Sequence, residues 1–419
     1  MATYSYDDSK ADLRSLLESD GFSSSQANAI INQLTTSRGG TYPVEVSNDT
    51  GLIADKLTPR HQQPEILILE ASPTQVNTNA FPNLRTISQV ADADLEVTGN
   101  RSVNIITGDY GANSPPGNFT VDLDDHGNDI VRTGNGNDTV FGGLGADSIY
   151  AGNGQDLLEA GNGSHQLLEA GTGSDTLIGG SGALDTLEAS GAGSYLEAGT
   201  GSHQLLEASG GHSHLIGNVG GSDTLKATGG YDTLTAGTGN DQLLEAGGSG
   251  HNVLTANTLS GGAFDVLEAT GGHNSLTAGI GNFQSLYASG GSDTLTGGSG
   301  QWDTLNGSGA GDSLIAGNGS HQLLMGTGGH DTFYAGTGGD TLQGGSNDIF
   351  HLVDGGNDVV HGGKGSNVVD FDGANETLAN AHVTVTGNHA ATIDFADGQV
   401  VKVTGIETLN FNGGGTKII

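Results

Sequence analysis

One acidic side chain returns through most of this chain at a nearly fixed interval. In the pattern Gly-x-Asp-x-U, with U apolar, it stands at Asp129, Asp138, Asp147, Asp156 and Asp175. It returns at Asp223 and Asp241, and again at Asp293, Asp312, Asp331, Asp340, Asp348 and Asp358. Counting residues that replace it, 26 positions run from Asp129 to Asn367, about 9.5 residues apart on average. Regularly spaced carboxylates beside glycine suit the binding of cations, which a repeat fold can use to close a core made of small side chains. The plainer alternative is that each Asp caps a turn by bonding to the backbone.

The elements that carry these residues follow from the same period. Each unit reads as a Gly-rich turn followed by a three-residue strand, x-U-x. Glycine supplies the positive-φ conformations of a sharp turn, and strand alternation sends U inward and its neighbours outward. Ile149, Leu177, Leu187, Leu225, Leu234, Leu254, Leu295, Leu305 and Leu342 fill the inward place. Two units make one coil, and coils stack through parallel strands. The fold expected is all-β: a parallel β-roll, or β-helix solenoid, of Gly-rich nonapeptide repeats.

Composition agrees. The 419 residues include 75 glycines, 34 % apolar residues and 5 % aromatics, too few large apolar groups for one big globular core. High charge with low hydrophobicity also suits disorder, but strict periodicity favours the repeat fold. The formal net charge of -36 argues against nucleic acid and anionic membrane surfaces as partners. Cysteine is absent, which excludes disulfides and thiolate metal sites. The opening MATYSYDDSKADL has neither the basic nor the apolar region of a secretory signal peptide. No apolar run approaches the ~18 residues of a membrane span.

Seven of the 12 basic residues lie within the first 101, and between 133 and 363 only Lys226 is basic. That shift divides the chain. Residues 8–20 and 24–37 have helical spacing, through Leu13, Leu16 and Leu17, then Ala27, Ile30, Ile31 and Leu34. We expect residues 1–64 to hold a small helical hairpin and a linker from 38. Residues 65–123 form a β entry or capping segment, 124–370 the roll, and 371–419 a C-terminal β cap.

These residues resemble a known family. GGLGADSIY (142–150) fits the nonapeptide G-G-x-G-x-D-x-U-x of RTX calcium-binding repeats, the motif by which that family is generally recognised. GNGNDTVFG (134–142), GNGQDLLEA (152–160) and GTGNDQLLEA (237–246) are close to it, and GQVVKVTGIETLNF (398–411) is similar to segments that follow such arrays in type I secretion substrates. The resemblance implies Ca²⁺ in the turns, held by carbonyls and by Asp from two turns stacked on one edge. The pairs are Asp129/Asp147, Asp138/Asp156, Asp156/Asp175, Asp223/Asp241, Asp293/Asp312, Asp312/Asp331, Asp331/Asp348 and Asp340/Asp358. Ser194, His203, Ser213, Asn252, Asn274 and Gln284 interrupt them, so calcium should cluster toward both ends of the array. The resemblance also implies export from a Gram-negative cell, with folding on calcium outside.

Other features are weaker. Glu159, Glu169, Glu188, Glu197, Glu207, Glu245 and Glu268 should line an outer face, and an irregular series of Thr residues resembles ice-binding RTX segments. Histidines such as His212 and His214, two apart on an expected turn, could bind transition metals or merely face solvent. No H-E-x-x-H and no G-x-S-x-G occurs, so neither a zinc protease nor a lipase of that type is indicated. The leading reading is a non-enzymatic, secreted, calcium-binding structural protein of a matrix, biofilm or cell surface, self-assembling into filaments or layers. A glycan- or ice-binding module, or an enzyme on extracellular polysaccharide, is the alternative.

GSHQLLEA, at 163–170 and 201–208, with GSHQLL at 319–324, poses a question of register. Aligning His with Asp puts His165, His203 and His321 in the ligand place. Leu167, Leu205 and Leu323 then point inward, and Leu168, Leu206 and Leu324 lie near the next turn or face a neighbouring rod.

Overall fold

The computed structural model describes residues 118–123, 127–256 and 264–419, with seven strands and five helical residues nearer the N-terminus. The chain divides into two compact units, Met1–Gly210 and Gly211–Ile419. Each is a parallel β-solenoid, and helix is nearly absent among the described residues.

In the first unit successive strands alternate between two sheets. One sheet carries Ile130–Arg132, Ser148–Gly152, Leu167–Ala170, Thr186–Ala189 and Leu205–Ala208, each parallel to the next. The other carries Phe119–Asp122, Thr139–Phe141, Leu157–Glu159, Thr176–Ile178 and Tyr195–Glu197. The parallel ladders extend toward the N-terminus through Thr41–Ser47, Ile66–Leu69, Thr86–Gln89 and Ile105–Thr107. Residues 41–47, read from sequence as linker, are therefore strand. Thr3–Ser9 is strand too, antiparallel to Thr41–Ser47, so any first helix begins after residue 9. Ala11, Arg14, Ser15 and Glu18 are helical, with the Ser15 hydroxyl donating to the Ala11 carbonyl. Of the 24–37 helix only Ser24 is described, as helical, and Leu13, Leu16, Leu17, Ala27, Ile30, Ile31 and Leu34 lie outside the described residues.

The second unit repeats the pattern from His214 to Phe371. Its C-terminal strands change direction. Val400–Thr404 and Thr408–Phe411 still pair in parallel with the roll, whereas Ala381–Gly387, Ala390–Phe395 and Gly415–Ile418 pair antiparallel.

The interior is a stack of single apolar side chains. Ile149, Leu168, Leu187 and Leu206 succeed one another on one sheet of the first unit, and Val140, Leu158, Leu177 and Leu196 on the other, all fully buried. Burying each Leu contributes about 1.5–3 kcal/mol. Small residues such as Ala170, Ala189 and Ala208 fill the next inward place. This overturns the expected orientation of the repeated Leu-Leu. Leu168, Leu206 and Leu324 are the core residues, whereas Leu167, Leu205 and Leu323 are only partly buried on the outer side. No rod contact is available to the second Leu.

Tight stacking explains the glycines. Gly152 has φ +86°, and a Cβ there would strike the Gly134 carbonyl of the preceding coil. The turns thus stack at close range, and the Gly134 carbonyl accepts the Asn153 N–H of the next coil at 3.0 Å.

Candidate metal centre

The buried residue that precedes each strand builds the site. The 26 repeat positions are all buried once their register is read from the structure. In four units that register lies one residue later than the sequence alignment suggests. Gln166, Gln204, Gln242 and Gln322 occupy the buried place, and His165, His203, Asp241 and His321 stand just before it, exposed, with φ of 59° to 64°. Asp241 is therefore not paired with Asp223 in the interior. The same left-handed position holds His212, Tyr231, His251 and His273, whose rings stack in series at 4.6–5.1 Å. His214 begins a strand and faces outward. Among the described residues no three His, Asp or Glu side chains converge, so an ion in a turn would rest on two carboxylates and on carbonyls.

The buried side chains form ladders. In the Asp runs Oδ1 accepts the main-chain N–H of the counterpart one coil earlier: Asp147 from Asp129 at 2.9 Å, Asp156 from Asp138 at 2.9 Å, Asp175 from Asp156 at 3.1 Å. In the second unit Asp312 accepts from Asp293 at 3.0 Å, Asp331 from Asp312 at 2.9 Å, Asp348 from Asp331 at 3.0 Å, and Asp358 from Asp340 at 2.9 Å. This is the turn-capping role that the plainer reading assigned to Asp. It uses only one oxygen of each carboxylate.

The other oxygen is partnered in some turns and unpartnered in others, on both edges. The first edge carries Asp147, Gln166, Asp185 and Gln204 in one unit and Gln242, Asp265, Gln284, Asp303, Gln322 and Asp340 in the other. There Oδ2 of Asp147, Asp303 and Asp340 accepts N–H groups of Gly143, Gly298 and Gly336. The second edge carries unbroken runs, Asp138–Asp156–Asp175 and Asp293–Asp312–Asp331–Asp348. On it, Oδ2 of Asp312 accepts the Gly309 N–H at 3.1 Å, whereas Oδ2 of Asp156, Asp175, Asp232 and Asp293 is buried without a hydrogen-bond partner, as is Oδ2 of Asp358 on the first edge.

An unpartnered buried carboxylate oxygen is costly, and stacked carboxylates repel. The acidities record both effects. Burial, reinforced by Asp138 and Asp175, pushes Asp156 up to about 7 against the one N–H that holds it down. Burial, with Asp340 and Glu376, pushes Asp358 up to about 7, and burial with Asp312 and Asp348 pushes Asp331 up to about 6. Such groups hold protons close to neutrality unless a cation displaces them. A hard divalent ion, which prefers oxygen ligands, fits a site of paired carboxylates and close turn carbonyls.

The fold and these turns define a β-solenoid with cation-binding turns. Residues 126–158, 160–183, 218–254, 259–282, 285–301, 324–351 and 353–377 match the RTX calcium-binding nonapeptide repeat. The chain carries RTX repeats, and calcium is their cofactor. No curated protein and no solved structure matches it.

Sequence reasoning placed Gln284 in the repeat position but missed the other four buried glutamines, Gln166, Gln204, Gln242 and Gln322. The clue was present in the letters: DTLEAS (185–190) and HQLLEAS (203–209) align through LEAS, which puts Gln204, not His203, opposite Asp185.

Proposed function

We propose that this is a secreted, non-enzymatic calcium-binding structural protein of the extracellular matrix, biofilm or surface of a Gram-negative bacterium. It leaves the cell unfolded by type I secretion, folds on meeting calcium, and assembles with further copies of itself. The observation that carries this reading is the run of buried, incompletely partnered carboxylates. They make the folded state dependent on an ion that is scarce inside cells and abundant outside, because binding free energy becomes folding free energy. The ions in this reading lie between Asp129 and Asp147, along Asp138–Asp156–Asp175, along Asp293–Asp312–Asp331–Asp348, and between Asp340 and Asp358.

Assembly rests on strand edges. Ala381–Gly387 is exposed along most of its length, and Ile418 on Gly415–Ile418 is 81 % exposed. Open edges of this kind accept strands from other molecules. No helix among the described residues is long and apolar enough to cross a membrane. Electron microscopy tests the proposal: filaments or layers are expected in millimolar calcium and none in chelator. Monodisperse particles in both conditions would contradict self-assembly.

A further inference from the structure

Every second turn of the first edge carries glutamine where the neighbouring turns carry aspartate, at Gln166 and Gln204 in one unit and Gln242, Gln284 and Gln322 in the other. All five are buried, and their amides repeat one arrangement. The oxygen accepts a turn N–H five residues earlier: Gly161 at 3.2 Å for Gln166, Gly199 at 2.6 Å for Gln204, Gly237 at 2.7 Å for Gln242, Gly317 at 2.8 Å for Gln322, and Gly279 for Gln284. The nitrogen donates into the carbonyls that line the gap between stacked turns. Gln322 Nε2 lies 3.0 Å from the Gly298 carbonyl, 3.3 Å from that of Gly300 and 3.4 Å from Asp303 Oδ2. Gln204 reaches the carbonyls of Gly180 and Gly182 at 3.4 and 3.1 Å, and Gln242 those of Asn218 and Gly220 at 3.5 and 3.2 Å. Gln166 spans the gap between Gly143 and Gly163, and Gln284 reaches Asp265 Oδ2.

These acceptors, turn carbonyls and a buried carboxylate, are the groups that a hard cation would gather. A primary amide offers the same gap two N–H donors and brings its own acceptor for the turn N–H. Unlike Asp, it adds no charge to bury. The second edge follows the same rule with shorter side chains. Asn252 donates to the Gly247 carbonyl at 2.9 Å, and Asn274 to that of Gly271 at 2.7 Å.

We propose that the buried glutamines are built-in substitutes for calcium: each amide occupies a gap that an ion would otherwise fill. The first edge is therefore latched without metal along its Asp/Gln alternation, and calcium is confined to the Asp runs of the second edge and to Asp129/Asp147 and Asp340/Asp358. This rests on the reading of the Asp turns as calcium sites. It predicts that a glutamine can be traded for an ion. Gln322→Asp would place four carboxylates, at 303, 322, 340 and 358, in succession on that edge.

The test is calcium bound per chain, by equilibrium dialysis on the full chain, with thermal unfolding followed in chelator and in millimolar calcium. Gln322→Asp should bind at least one more ion than the parent, unfold at lower temperature in chelator, and recover in calcium. Gln322→Leu, which offers neither donor nor ligand, should be weakened in both conditions and gain no ion. A Gln322→Asp chain with the parental ion count, or one that stays unfolded at saturating calcium, would overturn the substitution. A parent chain that binds no calcium would instead overturn the reading of the Asp turns, so the two failures are distinct.

Discussion

Replacing Asp156 by asparagine should remove two calcium ions from the chain and change the sign of its effect on stability between calcium and chelator. Asp156 stands in the middle of a run. Its Oδ1 accepts from Asp138, its N–H donates to Asp175, and its Oδ2 is buried and unpartnered. In the calcium reading it serves the gap on either side, so losing its charge empties both. The amide oxygen of asparagine can still cap the Asp138 N–H, as Asn252 caps Asp232 at 2.9 Å and Asn274 caps Asn252 at 3.0 Å.

Without calcium the substitution removes a carboxylate that burial and two like charges hold at about 7. Each unit of such a shift is worth on the order of 1.4 kcal/mol between the two protonation states. A raised pKa means that the native state binds a proton the unfolded chain has released, so stability falls as pH rises from about 4 through 7. At pH 7.5 in chelator the asparagine variant should therefore melt higher than the parent, and in millimolar calcium lower. Calcium dialysis and thermal melts in the two buffers read all three results. A variant destabilised equally in both buffers with an unchanged ion count would show Asp156 to be a turn cap alone.

The second large effect concerns the core. Leu206 is fully buried against Leu187, whereas Leu205 sits partly buried on the outer side. Leu206→Asp should cost about 4 kcal/mol or more, since it combines a cavity with a buried charge. Leu205→Asp should cost about 1 kcal/mol or less, as expected of a substitution at the outer side of a strand. Denaturant unfolding in calcium measures both. The reverse order would show that the strand is shifted by one residue, with Leu205 inward.

That register marks the boundary of what could be read from the letters. The period, the inward apolar residue and the turn glycines are local signals that repeat, so errors at one copy are corrected by the others. They were enough for the β-solenoid, its parallel ladders and the runs Asp138–Asp156–Asp175 and Asp293–Asp312–Asp331–Asp348. The one-residue slip at GSHQLLEA arose because Leu-Leu offers two candidates for the inward place and because His looked like a replacement for Asp. Backbone conformation decides the matter. In these four units the residue before the buried position sits near φ +60°, and His165, His203, Asp241 and His321 occupy it. Side-chain type alone does not reveal that, nor does it reveal that a glutamine amide can reach back to the preceding turn. The strand at residues 41–47 was hidden for another reason. Its alternation, TYPVEVS, contains proline, and it pairs with Thr3–Ser9 and Ile66–Leu69, far away in sequence.

Calcium in the Asp turns is proposed to hold the roll together. Circular dichroism of the full chain, prepared in chelator at pH 7.5 and titrated with calcium, tests it most directly. A cooperative rise in β-sheet signal, complete by millimolar calcium and reversed by added chelator, is the predicted result. A chain with the same β spectrum and the same melting temperature in chelator as in calcium would contradict it.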